Sequence, residues 1–319
     1  MTFVRTVLGD IDPSELGVTY AHEHLVIDGG RPVEIDPEFD LSDVAAMATE
    51  VREAMDRGLR AVIDAMPCDA GRSAMKLANL SRQTGLNIVA PTGLHHERWY
   101  GAAHWSHRVA AEELAELFVA DISEGIDAND YSGPLVRRTQ HRAGVIKIAG
   151  SDGGPSPRDS LVFAAAAEAH RRTGVPILTH CEDGTGALPQ IRLLTDLGVD
   201  ARHITLSHVD KVVDRGYHRE IVSTGAFAEY DQAFRWGDAE NGTVQLLHWM
   251  AEDHLTDRIV LGNDFARRRY YRVFGGSPGL ARLVEEFPAL IGTPEVANLQ
   301  HQLFVDNPGR AFAFAEVDG

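Results

Sequence analysis

Two histidines lie two residues apart in Tyr20-Ala21-His22-Glu23-His24-Leu25, at the end of a short apolar run. In a β-strand, side chains alternate between two faces, so His22 and His24 would point to the same side, about 6–7 Å apart. Neutral imidazole is the commonest metal ligand in proteins, and two such rings on one face can converge on one cation. By itself, the pattern is also compatible with two solvated histidines on a surface strand.

Four more residues suited to metal binding or proton transfer lie in or just after other apolar, strand-like runs. If the strands form a parallel barrel, their carboxyl ends meet at one mouth, where active sites are built. A lone histidine or aspartate at a strand end is usually just hydrogen-bonded or caps a helix. Several of them at the same end of separate strands indicate a metal site instead. The expected ligands are His22, His24, Lys147, His180, His208 and Asp264.

Lys147 lies among apolar residues in Gly144-Val145-Ile146-Lys147-Ile148. Burial penalises an ammonium ion, so we expect the pKa of Lys147 to be depressed. A neutral amine can add carbon dioxide and become a carbamate, an anion with two oxygens that can bridge two cations. Two metal ions about 3.5–4 Å apart form a hydrolytic centre. Imidazole with carboxylate favours zinc, and manganese or cobalt could substitute.

The elements that must position these residues alternate regularly along the chain. After the first strand, which carries His22 and His24, the predicted strands are Leu59–Ala65, Leu86–Ala90, Gly144–Ile148, Val175–Thr179, Ile204–Ser207, Ala226–Glu229 and Ile259–Gly262. The predicted helices are Asp40–Arg57, 71–84, 108–125, 158–173, 185–197, 213–223 and 240–254. Eight βα units predict an α/β fold, a (β/α)₈ TIM barrel spanning residues 1–319 as a single domain.

A doubly wound open sheet is the alternative architecture, but no glycine-rich dinucleotide fingerprint follows the first strand. Outside the repeat we expect a short N-terminal strand over Phe3–Leu8, a turn at Gly9–Pro13 and a glycine- and proline-rich loop at 29–32. A long connection over 95–142 contains the aromatic segment 99–105, either a lid over the site or a loop packed onto the barrel. A C-terminal helical tail covers Pro294–Phe314.

Composition excludes several classes of partner. The formal net charge of −17 argues against nucleic acid and anionic membranes as partners. Only two cysteines are present, so a disulfide framework is excluded and a cytoplasmic setting is expected. No signal peptide or membrane-spanning run is recognised, and a small molecule is the expected substrate.

The chain resembles the phosphotriesterase-like branch of the amidohydrolase superfamily, essentially from end to end. The resemblance rests on the six expected metal ligands together with the Leu16-Gly17 segment before the first of them. The resemblance implies that His22, His24 and Asp264 hold a buried metal ion, while His180 and His208 hold a more exposed one. It implies that carboxylated Lys147 and a hydroxide bridge the ions. The hydroxide then attacks a carbonyl or phosphoryl centre and Asp264 takes the proton. A homodimer is also implied.

Two segments are similar to the phosphorylated-sugar lactonase group of this branch, namely 91–97 and the arginine-containing loop 265–279. The lysine that this group carries after its strand-3 histidine is His96 here, a departure that bears on whether the substrate is phosphorylated. Acyl-homoserine lactonases have tyrosines in the first segment and an arginine where this chain has Gln232. The expected substrate-binding residues are His95, Arg98, Tyr230, Arg267 and Arg268, with Trp236 as a further candidate.

The sequence therefore favours a binuclear hydrolase that opens a small sugar lactone, phosphorylated or not. Two alternatives on the same site are an organophosphate triesterase, which a wide apolar pocket would favour, and an N-acyl amide hydrolase. A third is a binding barrel that has lost catalysis, but the full ligand set argues against it.

Overall fold

The chain begins with an antiparallel hairpin of β1 (Val4–Thr6) and β2 (Gly9–Ile11) in the computed structural model, which describes residues 2–232, 242–291 and 299–317. A single strand over 3–8 was expected, followed by a turn at 9–13. The turn lies instead at residues 7–8, where the hydroxyl of Thr6 accepts from the amide of Leu8 and donates to the carbonyl of Gly9. The chain therefore turns back two residues before the predicted turn at 9–13.

Eight parallel strand positions follow and form the predicted barrel. In order they are β3 (Thr19–Glu23), β4 (Ala61–Asp64), β5 (Asn87–Val89) with β6 (Pro91–Thr92), β7 (Val145–Gly150), β8 (Ile177–Cys181), β9 (Ile204–Ser207), β10 (Phe227–Tyr230) and β11 (Ile259–Leu261). Each pairs in parallel register with the next, and only Ala90 separates β5 from β6. The amides of Asn263 and Asp264 donate to the carbonyl of His22 and connect the last strand to the first.

Helices cover the outside of the barrel, and most of them begin and end close to the predicted positions. They are α1 (Gly30–Ile35), α2 (Val44–Asp56), α3 (Ala74–Thr84), α4 (Ala111–Ser123), α5 (Pro157–Thr173), α6 (Ala187–Asp196), α7 (Arg215–Ser223), α8 (Gly242–Glu252), α9 (Arg282–Ile291) and α10 (Asn307–Ala311). The Asp43 side chain caps α2 by accepting from the amides of Ala45 and Ala46. Gly174 ends α5 at φ +74°, and a Cβ there would lie 2.2 Å from the Ala315 carbonyl oxygen.

Within the described residues, two helices were not predicted. The segment 29–32 was expected to be a loop, but Gly30–Ile35 forms the short helix α1. The helix α9 was missed as well, and it contains Pro288. The start of the predicted C-terminal tail, 294–298, lies outside the described residues, and the remainder is helical to Ala311. No helix in the described part of the chain is long and apolar enough to cross a bilayer.

Apolar side chains from alternate strand positions fill the barrel interior. This layer includes Ala21, Ile63, Val89, Val145, Leu178, Phe227 and Val260, all buried. Lys147 follows Val145 by two residues and His180 follows Leu178 by two, so strand alternation brings both above this layer at the carboxyl end. Below it, Phe3 stacks on Phe314 with ring centroids 4.5 Å apart, joining the two ends of the chain.

Candidate metal centre

All six expected metal ligands line one cavity of about 130 Å³ at the carboxyl ends of the strands. Neighbouring imidazoles are close: ring centroids lie 5.5 Å apart for His22 and His24, 4.9 Å for His22 and His208, and 4.5 Å for His180 and His208. The barrel therefore gathers side chains from β3, β7, β8 and the segments after β9 and β11 into one group.

His22, His24 and Asp264 form one close cluster of possible ligands. The Oδ1 atom of Asp264 lies 3.6 Å from Nε2 of His22 and 3.3 Å from Nε2 of His24. One ligand atom from each residue falls within 4.8 Å of the other two. A β-bulge assists this arrangement, because the pairing of β3 with β4 shifts between Tyr20 and Glu23.

A carboxylate accepts a hydrogen bond from one ring nitrogen of three of the histidines. Nδ1 of His22 lies 3.0 Å from Glu229, Nδ1 of His208 lies 2.8 Å from Asp231, and Nε2 of His180 lies 2.9 Å from Glu182. Such partners fix the tautomer and leave the other ring nitrogen as a lone-pair donor. The ring nitrogens whose lone pairs are left to bind a metal ion are then Nε2 of His22, Nε2 of His208 and Nδ1 of His180.

Burial keeps these rings neutral, the form that binds metal. The pKa values of His22 and His208 fall well below the usual range because both rings are buried, and burial lowers that of His180 as well. The positive charge of Lys147 contributes to the lowering at all three histidines, so its side chain acts on ligands of both proposed metal positions.

Lys147 is buried, and its Nζ atom donates a hydrogen bond to Oγ of Ser207 at 3.0 Å. Burial lowers the pKa of the ammonium group, although the carboxylates of Glu229, Asp231 and Asp264 act in the opposite direction. A larger fraction of Lys147 is therefore the neutral amine, which is the form that reacts with carbon dioxide.

Backbone strain marks two of the ligand positions. His208 has φ +66° and Asp264 has φ +51°, in the left-handed region that residues other than glycine rarely adopt. Such conformations persist where the surroundings require them, and they concentrate at functional sites. Glu23 supports the strained backbone at Asp264. Its carboxylate accepts hydrogen bonds from the amides of Asn263 at 3.0 Å and Phe265 at 3.2 Å, on either side of Asp264.

The donor set fits a pair of divalent cations. Neutral imidazole nitrogens and a carboxylate suit zinc, with manganese and cobalt as close alternatives. His22, His24 and Asp264 would hold one ion, while His180 and His208 would hold the other.

Three of the five expected substrate contacts line the cavity. His95 follows β6, with its ring centroid 4.9 Å from that of His180. Arg98 forms one part of the rim and Arg267 another, with the Arg267 guanidinium 4.3 Å above the ring of Phe39 and Nε 3.4 Å from Asp36. The wall also includes Ile27, Pro32, Phe39, Met66, Ala70, Trp99 and Ala266.

The other two expected contacts are corrected by the structure. Tyr230 points out of the barrel, and its hydroxyl lies 2.9 Å from Nδ1 of His218. Arg268 turns away from the cavity: its guanidinium lies 4.2 Å from the Phe274 ring and donates to the Asp40 carbonyl. Trp236 lies outside the described residues.

The aromatic segment 99–105 is partly a wall of the site and partly a loop packed onto the barrel, so it combines the two predicted alternatives. Trp99 lines the cavity wall. Tyr100 is buried and donates to the carbonyl of Cys68, while His104 and Trp105 both bond to Asp69. One end of the segment therefore faces the site and the remainder packs onto the barrel.

The carboxylates Glu182, Glu229 and Asp231 were missed at the sequence level. Glu229 and Asp231 are two residues apart at the end of a strand, the same spacing as His22 and His24. This spacing indicates that both carboxylates lie on one face of the strand, so the sequence did contain a signal for them. Glu182 lies in a turn just after β8, where alternation gives no guide.

A barrel whose mouth gathers these side chains defines a hydrolase of the amidohydrolase type. Comparison with known proteins agrees with this class. The chain belongs to the phosphotriesterase family, whose model matches residues 2–312. This family consists of metal-dependent binuclear hydrolases, and the protein is a hydrolase acting on ester bonds.

The individual relatives include a lactonase and an aryldialkylphosphatase. A phospho-furanose lactonase from Mycoplasmopsis synoviae (strain 53) is 32% identical, with the match covering 98% of this chain and 92% of that protein. The solved structure of an amidohydrolase from Mycoplasma synoviae has a TM-score of 0.92 at 31% identity, covering 100% of this chain and 94% of that one. An aryldialkylphosphatase from Saccharolobus solfataricus is 29% identical, covering 80% of this chain and 79% of that protein.

Proposed function

We propose that the protein is a lactonase that opens the ring of a small sugar lactone, with a phosphorylated furanose lactone as the leading candidate. The observation that carries the proposal is Arg267, which lines the same cavity as the six metal-ligand candidates. A guanidinium is the side chain best suited to hold a phosphate or carboxylate group. The cavity of about 130 Å³ suits a small ring. Two relatives that are phospho-furanose lactonases, at 32% and 30% identity, support this substrate class.

We also propose that the site holds two zinc ions and that Lys147 is N6-carboxylated. Bound metal ions would supply a water of lowered pKa and polarise the ester carbonyl. Carboxylation joins the amine nitrogen to the carbon of carbon dioxide and releases one proton. The buried position of Lys147 and the lowered pKa of its amine support this step.

The protein's own side chains then have separate tasks. The Asp264 carboxylate is 15% exposed toward the cavity and is placed to take the proton from the attacking water. Arg267 would hold the anionic end of the substrate. The ring of His95 has Nδ1 accepting from the amide of His96 at 2.6 Å, so its Nε2–H is available as a donor to a substrate oxygen.

The experiment compares ring opening of aldonolactones, with and without a terminal phosphate, by the zinc-loaded protein. We expect turnover of lactones, with kcat/KM higher for the phosphorylated ones. Failure to open any lactone, together with rapid hydrolysis of a paraoxon-type ester, would reject the proposal.

One observation favours an organophosphate triesterase as the second candidate. Part of the cavity wall is apolar, with Ile27, Pro32 and Met66 among its members, and neutral triesters need such a surface. Arg267 in the same cavity argues against it, because a neutral triester offers no anion to bind.

A further inference from the structure

Three side chains form a hydrogen-bonded series from the outer loop to His180. Arg98 donates through both terminal nitrogens to Glu182, at 3.0 Å to Oε1 and 2.9 Å to Oε2. The same Oε2 atom lies 2.9 Å from Nε2 of His180. Arg98 therefore reaches a candidate metal ligand through a single carboxylate.

The surrounding structure holds this series in place. Glu182 directly follows β8 in a tight turn, in which Asp183 has φ +50°. Arg98 belongs to the turn Glu97–Trp99, and its guanidinium lies 5.5 Å from the Trp99 ring. Trp99 in turn contacts Phe39 edge-on, with ring centroids 5.5 Å apart. The Arg98–Glu182 pair is thus the polar connection between the cavity wall and the segment after β8.

The hydrogen bond to Glu182 determines which nitrogen His180 can offer. An ionised carboxylate only accepts hydrogen bonds, so the proton of a neutral His180 ring must reside on Nε2. The lone pair is then on Nδ1. Without Glu182 the ring could adopt the other tautomer, or rotate, and the ligand atom would be misplaced.

Arg98 itself is poorly placed to act as a substrate ligand. Its two terminal nitrogens are both engaged by Glu182, and a substrate anion would have to compete with that bidentate pair. The side chain is 48% exposed, so the isolated ion pair adds little to stability. Its more important effect is geometric, because it restrains the Glu182 carboxylate from a second element.

We propose that Glu182 and Arg98 are positioning residues of the metal position formed by His180 and His208. Glu182 selects the His180 tautomer with Nδ1 free, and Arg98 couples that ligand to the loop over residues 94–105. Because coupling between two sites is reciprocal, ion binding at this position stabilises the loop over residues 94–105 in the arrangement that pairs Arg98 with Glu182. The same arrangement of the loop in turn tightens ion binding. This inference rests on the proposed dinuclear centre.

The first test is stepwise zinc binding, measured by competition with a chromophoric chelator. Loss of a residue that orients a metal ligand typically weakens affinity by about 10–100-fold. We expect Glu182→Gln and Arg98→Gln to weaken the second equivalent by this factor and to leave the first unchanged. Arg98→Lys keeps the charge but loses the bidentate geometry, so its affinity for the second equivalent should fall between those of wild type and Arg98→Gln. The matched control is Arg172→Gln, which breaks a bidentate pair with Glu116 far from the site.

The second test is hydrogen exchange of the loop over 94–105 with one and with two zinc equivalents. In the wild type, the second equivalent should slow exchange in this loop, and in Arg98→Gln the slowing should be lost. Equal second-site affinity in wild type, Glu182→Gln and Arg98→Gln would overturn the inference. A wild-type protein that binds only one ion would instead reject the dinuclear centre itself, so the two failures are distinguishable.

Discussion

Gln232 donates its side-chain amide to Oδ2 of Asp264 at 3.2 Å, and the same nitrogen lies 2.7 Å from Oδ1 of Asp231. The opposite oxygen of Asp264, Oδ1, is the one that faces His22 and His24. One amide therefore bridges two carboxylates and fixes which oxygen of Asp264 is turned toward the metal position. An amide does not titrate, so Gln232 orients Asp264 without itself carrying a proton onward.

Replacing Gln232 tests this bridging role. Gln232→Leu removes a hydrogen bond to a charged group, worth about 1.5–3 kcal/mol, so kcat should fall by about tenfold or more while KM changes less. Gln232→Glu has the same shape but places a third carboxylate against Asp231 and Asp264, so the loss should be larger. Steady-state kinetics with metal analysis checks this. A kcat for Gln232→Leu equal to that of the wild type would contradict the bridging role.

Lys147→Ala should lose both metal ions and activity, because the carbamate proposed to join them could no longer form. Short carboxylic acids added to the buffer should partly restore metal content by occupying the vacated space as a substitute bridge. Lys147→Arg should fail equally, since a guanidinium stays charged and cannot add carbon dioxide. Elemental analysis measures metal content, and thermal unfolding verifies that each variant is folded. Full activity in Lys147→Ala would exclude a bridging carbamate.

The barrel and its ligand positions were predictable because both depend on local periodicity. Lys147 and His180 occupy inward positions at strand ends, and alternation brings them to one mouth. His22 directly follows the interior residue Ala21 and reaches the same mouth through the bulge in β3. Tyr230 shows the same rule applied too loosely. Glu229 and Asp231 point into the barrel, so the residue between them must point out, toward His218.

Other features depend on contacts distant in sequence, which periodicity cannot reveal. Arg267 and Arg268 are adjacent in a loop, and only the packing of Arg268 on Phe274 decides which of them reaches the cavity. The bulge in β3 is likewise set by its pairing with β4. The helices α1 and α9 contain Pro32 and Pro288, residues that usually indicate a loop, but Pro32 lies in the first turn, where no intrahelical hydrogen bond is lost.

Arg267 and Arg268 form a matched pair for testing anion recognition. Arg267→Gln should raise KM for a phosphorylated lactone by about tenfold or more, because a charge-assisted hydrogen bond is lost. Arg268→Gln should change KM by less than about twofold, since its guanidinium packs away from the cavity. The unphosphorylated lactone serves as the control substrate and should be indifferent to both changes. Similar KM values for Arg267→Gln and wild type would remove the argument for an anionic substrate.

Tyr230→Phe separates structure from chemistry. The hydroxyl lies outside the cavity and bonds to His218, so kcat and KM should both stay within about twofold of wild type. Stability should fall by about 1 kcal/mol, because a buried hydrogen bond is lost and a ring nitrogen loses its partner. Urea unfolding measures the change. A raised KM with unchanged stability would return Tyr230 to the substrate site.

His203 provides a pH test that is independent of the metal centre. The side chain is partly buried, and burial, followed by the nearby charge of His170, lowers its pKa from 6.5 to about 4. Between these two values the unfolded chain binds more protons than the folded one. The contribution of His203 to stability must therefore rise with pH across this range and become constant above about 6.5.

His203→Gln removes this titration, so the stability of wild type relative to the variant should increase from pH 4 to pH 6.5. A shift of this size corresponds to about 3 kcal/mol for a fully buried group, and solvent screening of a partly exposed ring reduces it to about 1 kcal/mol. Urea unfolding of both proteins at a series of pH values gives the difference directly, and the metal contribution common to both cancels. The control is His301→Gln, whose side chain is 73% exposed. A difference that stays flat from pH 4 to 6.5 would show that His203 titrates alike in the folded and unfolded chains.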